Sequence, residues 1–331
     1  MKDFTNAPVA CWGRFERSFE SARVYGNPIH DVQLTATFVA PSGREQQVDG
    51  FWDGEATWRV RFMPGETGEW SYRTSCSDQG NAGLHGQAGR FRCEPAGEGT
   101  VFERHGALRL APERTYLEHA DGTPWLWLAD TAWNGPLLST SDEWEHYLAV
   151  RRGQGFSAVQ WVTTQWIAAP TGDLHGERAY QGHEQIAVNP AFFQRLDSKL
   201  DAINRAGLLG VPVLLWAATW IPDDAVNSVN PGVALPEDQA IVLERYMVAR
   251  WGANHVAWIL NGDGDYRAEK AERWRRIGRA VFGKRAHAPV LLHPSGMNIP
   301  FEEFRDEAWL DIVTYQSGHG DDAATQRWIW D

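Results

Sequence analysis

Residues 189–216, NPAFFQRLDSKLDAINRAGLLGVPVLLW, contain one complete helix–strand unit. Asn189 and Pro190 are residue types that helices favour at the N-cap and in the first turn. The apolar side chains that follow recur at helical spacing as far as Gly207. They are Phe192, Phe193, Leu196, Leu200 and Ile203. The apolar run 211–216 is typical of a parallel strand covered on both faces. The unit predicts parallel strands connected by helices.

The same alternation of strands and helices continues from about residue 116 onward. Six apolar runs are predicted to be strands, namely 125–128, 158–162, 211–216, 256–260, 289–292 and 312–315. Thr140 and Glu143 form a capping box that predicts a helix over 144–152. No G-x-G-x-x-G follows the first strand, which favours a (β/α)₈ TIM-type barrel over a dinucleotide-binding sheet. Such a barrel usually takes about 250 residues, whereas residues 116–331 are fewer and give only six strands. Either the strand count misses a unit or the barrel is truncated after about six βα units, and we favour truncation.

The N-terminal third of the sequence has a different pattern. Apolar and polar residues alternate over short runs at 31–40, 57–63, 69–75 and 89–94, with turn residues between them. Short strands without a helical period between them predict an all-β, immunoglobulin-like sandwich. We therefore divide the chain into a sandwich at 1–97, a linker at 98–115 and a barrel at 116–331.

Composition excludes several classes of partner. The sequence has 31 Lys and Arg against 43 Asp and Glu, a formal charge of −12, and no basic block that would suit nucleic acid. No apolar run reaches the roughly 18 residues of a membrane span. The beginning, MKDFTNAPVACWGRFE, lacks the apolar core of a signal peptide, so we expect a cytoplasmic protein unless a leader has been removed.

The three cysteines are an odd number, which is a poor basis for a disulfide framework. A Cys76–Cys93 bridge is conceivable if their strands are neighbours, but buried free thiols are favoured for a cytoplasmic protein. No cysteine or histidine cluster has zinc spacing, so no structural metal is expected.

Tryptophan is the unusual residue of this chain, with 18 in 331 positions. Its flat apolar face and single N–H donor suit the C–H faces of sugar rings. We assign about two thirds of the indoles to packing and the rest to a cleft.

The strongest catalytic candidate lies in 258–266, WILNGDGDY, where an apolar strand ends in acids and glycines. Asp263, at the end of the fourth barrel strand, is placed to protonate a leaving oxygen, which requires a raised pKa. The structural alternative is a turn whose carboxylates cap the next helix, and Asp265 fits that alternative well.

Polar and aromatic residues follow the other predicted strands, and in a barrel these strand ends meet at one face. The predicted substrate-binding residues are Asp130, Trp133, Trp166, Trp216, Asn261, His293, Tyr315, Gln316 and His319. For Asp130, a structural role as a helix N-cap or as partner of a buried arginine is equally compatible. Ser317 and His319 do not indicate acyl transfer, because the G-x-S-x-G elbow is absent.

Two resemblances cover nearly the whole chain. Residues 8–95 resemble the immunoglobulin-like DUF5060 domain that precedes many glycoside hydrolases, through WGRFERSF, NPIHDVQLTATF, VDGFWDG, WRVRFMP and GEWSY. Residues 116–331 resemble the DUF4038 apiosidase-like catalytic domain, a clan-A-type barrel, through DGTPWLWLADTAW, WILNGDGD, LLHPSG and WLDIVTYQSGHG.

The second resemblance implies retaining hydrolysis of a glycosidic bond by two carboxyl groups, without a cofactor. The acid/base follows the fourth strand, where Asp263 matches it, although relatives commonly have Gly-Gly-Asp and this chain has Asn-Gly-Asp. The nucleophile is a Glu after the seventh strand, so we expect it beyond residue 331.

Two functions therefore remain open from the sequence. The first is a glycoside hydrolase acting on a plant-type or microbial polysaccharide or oligosaccharide, with residues 1–331 inactive by themselves. The second is an inactive carbohydrate-binding or scaffolding protein built on a degenerate barrel.

Overall fold

Two facing β-sheets form the N-terminal part of the chain. The structure is a computed structural model that describes residues 8–97, 99–218, 229–283, 286–317 and 320–330. The first elements are β1 (Val9–Ala10), β2 (Phe15–Glu20), α1 (Pro28–Asp31), β3 (Leu34–Val39), β4 (Glu45–Asp49), β5 (Phe51–Trp52), β6 (Thr57–Phe62), β7 (Gly68–Cys76) and β8 (Ala88–Glu94). One sheet has the order β1-β8-β7-β3-β4 and the other β2-β6-β5.

Aromatic side chains fill the space between these two sheets. Phe38 of β3 stacks on Phe62 of β6 with ring centroids 4.0 Å apart, and Phe15 of β2 stacks on Phe91 of β8 at 4.2 Å. Alternation along each strand brings these apolar faces together, as the sequence pattern predicts. The immunoglobulin-like character of the domain stays a prediction.

All three cysteines are buried and free. Cys93 in β8 lies opposite Gly68 of β7, eight residues along that strand from Cys76. At about 3.3 Å per residue, that offset is far beyond the reach of a disulfide.

The segment predicted as a linker, 98–115, contains folded elements. They are α2 (Val101–His105) and β9 (Leu108–Leu110). Thr100 and Glu103 form a capping box at the start of α2, and Phe102 is fully buried in the core of the C-terminal part.

A parallel half-barrel forms the C-terminal part. Its strands are β12 (Ala129–Thr131), β13 (Ala158–Val162), β16 (Leu209–Trp216), β17 (Trp258–Gly264) and β18 (Val290–Pro294), in that order across the sheet. A parallel bridge between Leu291 and Ile312 marks the sixth predicted strand. The predicted parallel sheet is thus confirmed, and it forms a half-barrel. That it is part of a TIM-type barrel stays a prediction.

The first predicted barrel strand was wrong in position. Residues 124–125 form β11 (Pro124–Trp125), which pairs antiparallel with β10 (Leu117–His119) beside β9. Trp125 lies opposite Leu117, so a short antiparallel sheet takes up the residues at the start of the predicted strand. The parallel sheet begins instead at Ala129.

Helices cover the parallel sheet. The remaining elements are α3 (Gly135–Leu138), α4 (Ser141–Gly153), β14 (Tyr180–Gln181), β15 (Ala187–Val188), α5 (Pro190–Arg205), α6 (Pro231–Ala234), α7 (Glu237–Trp251), α8 (Glu269–Phe282), α9 (Phe301–Phe304) and α10 (Ala323–Trp330). The predicted helix starts are confirmed, because Thr140 and Glu143 form the capping box and the Asn189 side chain accepts from the Phe192 N–H. Within the ranges described above, no helix combines the length and apolar character needed to cross a bilayer.

A buried ion cluster joins the two parts of the chain. Arg250 of α7 donates to Asp197 of α5 at 2.8 Å and to Asp53, after β5, also at 2.8 Å. Arg61 of β6 donates to the same Asp197 carboxylate at 2.8 Å. Arg250 is fully buried, so the half-barrel is fixed to the β-sheet domain by charges that are shielded from water.

Glu244 of α7 is a buried carboxyl group, and neither of its oxygens has a hydrogen-bond partner among the residues that the structure describes. Burial raises the pKa of Glu244 well above its ordinary value, and the nearby Arg273 only partly opposes this. The folded protein therefore keeps this group protonated at pH values where the unfolded chain ionises it, above about 4.3.

We expect Glu244→Gln to be more stable than the wild type at pH 8. Stability in the wild type is lost as the pH rises from the unfolded pKa toward the raised folded pKa. The measurement is urea unfolding at pH 4 and pH 8, in which the advantage of the variant should be larger at pH 8. An equal difference at both values would show that Glu244 does not titrate differently in the two states.

Candidate active site

Three tryptophans from successive strand ends meet at the carboxyl edge of the parallel sheet. Trp216, at the end of β16, lies 5.1 Å from Trp133 and 4.6 Å from Trp166 between ring centroids. Trp166 and Trp216 are almost fully buried, at 5% and 4% exposure, whereas Trp133 is half-buried. Trp133 therefore presents the accessible indole of the cluster, and the other two support it.

Asp263 lies next to this cluster, near the end of β17. Its backbone φ is +50°, a left-handed conformation that is uncommon for a residue with a β-carbon. Gly262 precedes it, and a β-carbon at that position would come within 2.3 Å of the Trp216 ring. A glycine is therefore needed to let the indole lie directly against the backbone of the Asp263 turn.

His293 and Gln316 face the Asp263 carboxylate. The Nε2 atom of His293, in β18, is 3.6 Å from Oδ1 of Asp263. The Gln316 amide nitrogen lies 3.4 Å from the same oxygen and 3.2 Å from Nε2 of His293. Burial lowers the pKa of His293, while the Asp263 charge acts in the opposite direction.

The site thus combines one carboxylate, one imidazole and one amide beside the three tryptophans, which we call the aromatic cluster. His293 also contacts this cluster, with its ring centroid 5.4 Å from that of Trp133. A carboxyl group in such a half-buried position can exchange a proton with a ligand oxygen, and the indole can contact an apolar ligand face. In the parts of the chain that the structure covers, no group of three or more His, Cys, Asp or Glu could hold a metal ion.

The structure brings together Asp263, Trp133, Trp166, Trp216, His293 and Gln316 of the predicted site residues. Tyr315 precedes Gln316 and is 58% exposed. His319 lies outside the described residues.

Asp130 is occupied by structural partners. Tyr147 donates to its Oδ2 at 2.6 Å, and Arg151 donates to the same oxygen. Burial alone would raise the pKa of Asp130, but these two donors outweigh it and lower the pKa. This is the arginine-partner alternative that the sequence left open, and a sugar would have to compete with both donors.

Asn261 is fully buried, and its Oδ1 accepts a hydrogen bond from Tyr266. The Tyr266 ring lies against α8 and α9, through Trp274 and Phe304. The Asn261 side chain is thus held by the packing beside the helices, and the structure does not bring it to the aromatic cluster.

Asp265 follows the turn part of the structural alternative, because its Oδ1 accepts from the Arg267 backbone N–H. The predicted helix cap was wrong: the N-cap of α8 is Ala268, and among the described residues no side chain caps that helix end. Arg267 and Lys270 bind its carboxylate at 2.9 Å and 2.7 Å. The hydrogen bond from Arg267 is the main cause of a pKa well below the ordinary value.

Sequence reasoning missed two residues around the site. Asn134 accepts the Trp166 indole N–H at 2.5 Å, which fixes that ring. Tyr266 donates a hydrogen bond to Asn261, at the other end of the turn that carries Asp263. Asn134 directly follows the DGTPWLWLADTAW stretch and Tyr266 ends the WILNGDGDY stretch, but no sequence pattern separates either residue from one that only packs.

Comparisons with known families agree with the resemblances found in the sequence. Residues 111–330 match the family described as "Apiosidase-like, catalytic domain", and residues 8–77 match DUF5060, a domain of unknown function. No curated protein matches the chain.

Solved structures show the same fold. A protein of Bacteroides vulgatus ATCC 8482, provisionally assigned as a glycoside hydrolase, is 26% identical with a TM-score of 0.74, over 92% of this chain and 58% of its own. A glycoside hydrolase family 5 protein of the same organism is 21% identical with a TM-score of 0.56, over 67% of this chain and 47% of its own. This chain therefore spans about half the length of these two structures.

Proposed function

The chain belongs to the apiosidase-like family, and from this premise we propose that it carries the acid/base half of a retaining glycoside hydrolase. Asp263 is the proposed acid/base. The observation that supports this role is its position at the carboxyl end of β17, with His293 and Gln316 on its Oδ1 atom and the aromatic cluster beside it.

In the first step, the nucleophile carboxylate forms a bond to the anomeric carbon while Asp263 gives its proton to the glycosidic oxygen and the bond to the leaving group breaks. In the second step, the Asp263 carboxylate takes a proton from the water that releases the sugar from the nucleophile. The two-carboxyl reaction needs no cofactor. His293 and Gln316 hold the Asp263 carboxylate in place through both steps.

The second carboxyl group must lie about 5–5.5 Å from the first in a retaining enzyme. Glu307, after α9, is bound by Arg279 and by the Trp309 indole, and Glu302 of α9 pairs with Arg305. These pairings support the expectation that the nucleophile is a Glu outside residues 1–331.

The proposed substrate is a plant-type or microbial polysaccharide or oligosaccharide. Trp133 offers its face to a sugar ring, while Tyr315, Gln316 and His293 provide hydrogen-bonding groups for hydroxyls.

The test compares the full-length protein with residues 1–331 on 4-nitrophenyl glycosides and pectic oligosaccharides. We expect turnover from the full-length protein. Residues 1–331 should bind the oligosaccharide without turnover, and binding should fall about tenfold in Trp133→Ala but survive in Asp263→Ala.

Two outcomes would contradict the proposal. Turnover by residues 1–331 that Asp263→Asn abolishes would contradict the placement of the nucleophile. Tight binding by a full-length protein that turns over none of these substrates would instead favour a carbohydrate-binding protein.

A further inference from the structure

The turn that carries Asp263 is in an unusual backbone conformation. A residue with a β-carbon at φ +50° persists only where its surroundings hold it. The neighbouring glycines allow the chain to bend there, but they do not select one conformation. His293 and Gln316 contact the Asp263 carboxylate itself, but the backbone conformation of the turn needs a contact of its own.

Tyr266 provides such a contact from behind the turn. Its hydroxyl donates to Oδ1 of Asn261 and lies 3.3 Å from the Asn261 carbonyl oxygen. Its ring is fully buried and packs edge-on against Phe304 at 5.3 Å between centroids. The hydroxyl is therefore fixed in space and joins the two ends of the segment 261–266.

Gly264, the residue after Asp263, packs against both members of this Tyr266–Asn261 pair, which we call the clamp. A β-carbon at 264 would lie 2.1 Å from Nδ2 of Asn261 and 2.8 Å from Cζ of Tyr266. The Gly264 carbonyl also accepts from the Ser295 N–H at 3.2 Å, next to β18. The backbone on the C-terminal side of Asp263 is thus held between Tyr266, Asn261 and the strand that carries His293.

We propose that Tyr266 is a positioning residue for the reaction, whose hydroxyl acts through Asn261 to keep the Asp263 carboxylate facing His293 and Gln316. This inference rests on the proposed function for its effect on rate, but the clamp itself can be tested without a substrate.

The test variant is Tyr266→Phe in the full-length protein, which removes one oxygen and keeps the ring. We expect kcat on the oligosaccharide to fall about tenfold with KM little changed, because only the direction of the acid is altered. Tyr246→Phe is the matched control, since Tyr246 is also buried and its hydroxyl donates to the Trp52 carbonyl at the contact between the two parts of the chain. The control should keep its kcat.

A second readout follows the His293 imidazole by NMR across pH. The Asp263 charge raises the pKa of His293 against the effect of burial, so a displaced carboxylate should let that pKa fall toward its value in Asp263→Asn. Asn261→Ala removes the other half of the clamp and should give the same shift, whereas Tyr246→Phe should give none.

An unchanged His293 titration in Tyr266→Phe would overturn the clamp. A shifted titration with unchanged kcat would overturn its role in the reaction. If the wild type shows no turnover, the proposed function fails, but the His293 titration still tests whether the clamp holds the Asp263 carboxylate.

Discussion

Replacing Asp263 by asparagine in the full-length protein is expected to lower kcat on an oligosaccharide by about 10²–10⁴-fold, the range that a general acid/base contributes. The amide has nearly the same shape and can still accept from Gln316, but it cannot give a proton to the leaving oxygen. The measurement is steady-state kinetics with the oligosaccharide that the wild type turns over.

The matched control is Asp265→Asn, two residues away in the same turn. The hydrogen bond from Arg267 keeps the pKa of Asp265 well below its ordinary value, so this carboxyl stays ionised and has no proton to give. We expect the control to keep most of the wild-type rate. Equal losses in both variants would mean that the turn, and not the acid, was damaged.

Asp197→Ala is expected to lower the free energy of unfolding by about 3–5 kcal/mol, the effect of removing one partner from a buried ion pair. Asp197 accepts from Arg61, Arg250 and the Trp251 indole N–H, the last at 2.7 Å. Its loss leaves two guanidinium groups without that carboxylate, and Arg250 is fully buried. Urea unfolding at pH 7 measures the change.

The pH dependence of this cluster has a definite sign. Burial would raise the pKa of Asp197, but Arg250 and Arg61 outweigh it and lower the pKa. The stabilisation is therefore present above the unfolded pKa, near 3.9, and is lost as the pH falls through the folded value.

Glu145→Ala is the control, because the Glu145–Arg205 pair is exposed on both sides. We expect it to change the free energy of unfolding by less than about 0.5 kcal/mol. A similar loss in Asp197→Ala and Glu145→Ala would contradict the role of the buried cluster.

Local signals explain why much of the fold could be predicted. The helix over Pro190–Arg205 and the strand after it are encoded by capping and periodicity within 189–216, which need no distant partner. The same holds for the capping box at Thr140. The ion cluster could not be found in this way, because Asp53, Asp197 and Arg250 are far apart in sequence and meet only in the folded chain.

The candidate site also has one part that local sequence predicts and one part that depends on the folded chain. A strand end followed by an acid identifies Asp263 as a candidate, but simple alternation would also put Asn261 on its face. The pairing of β17 with β18 shifts register between Ile259 and Gly262 and again before Gly264, which breaks that alternation. Asn261 consequently bonds Tyr266 while Asp263 faces His293.

The acid role of Asp263 is tested most directly by comparing two leaving groups on the same sugar in the full-length protein. For the natural oligosaccharide, Asp263→Asn should lower kcat/KM by at least about 100-fold, because the leaving oxygen needs a proton. For the 2,4-dinitrophenyl glycoside, whose leaving group departs as a stable anion, kcat/KM should stay within about threefold of the wild type. The same loss with both substrates would contradict the assignment of Asp263 as the general acid.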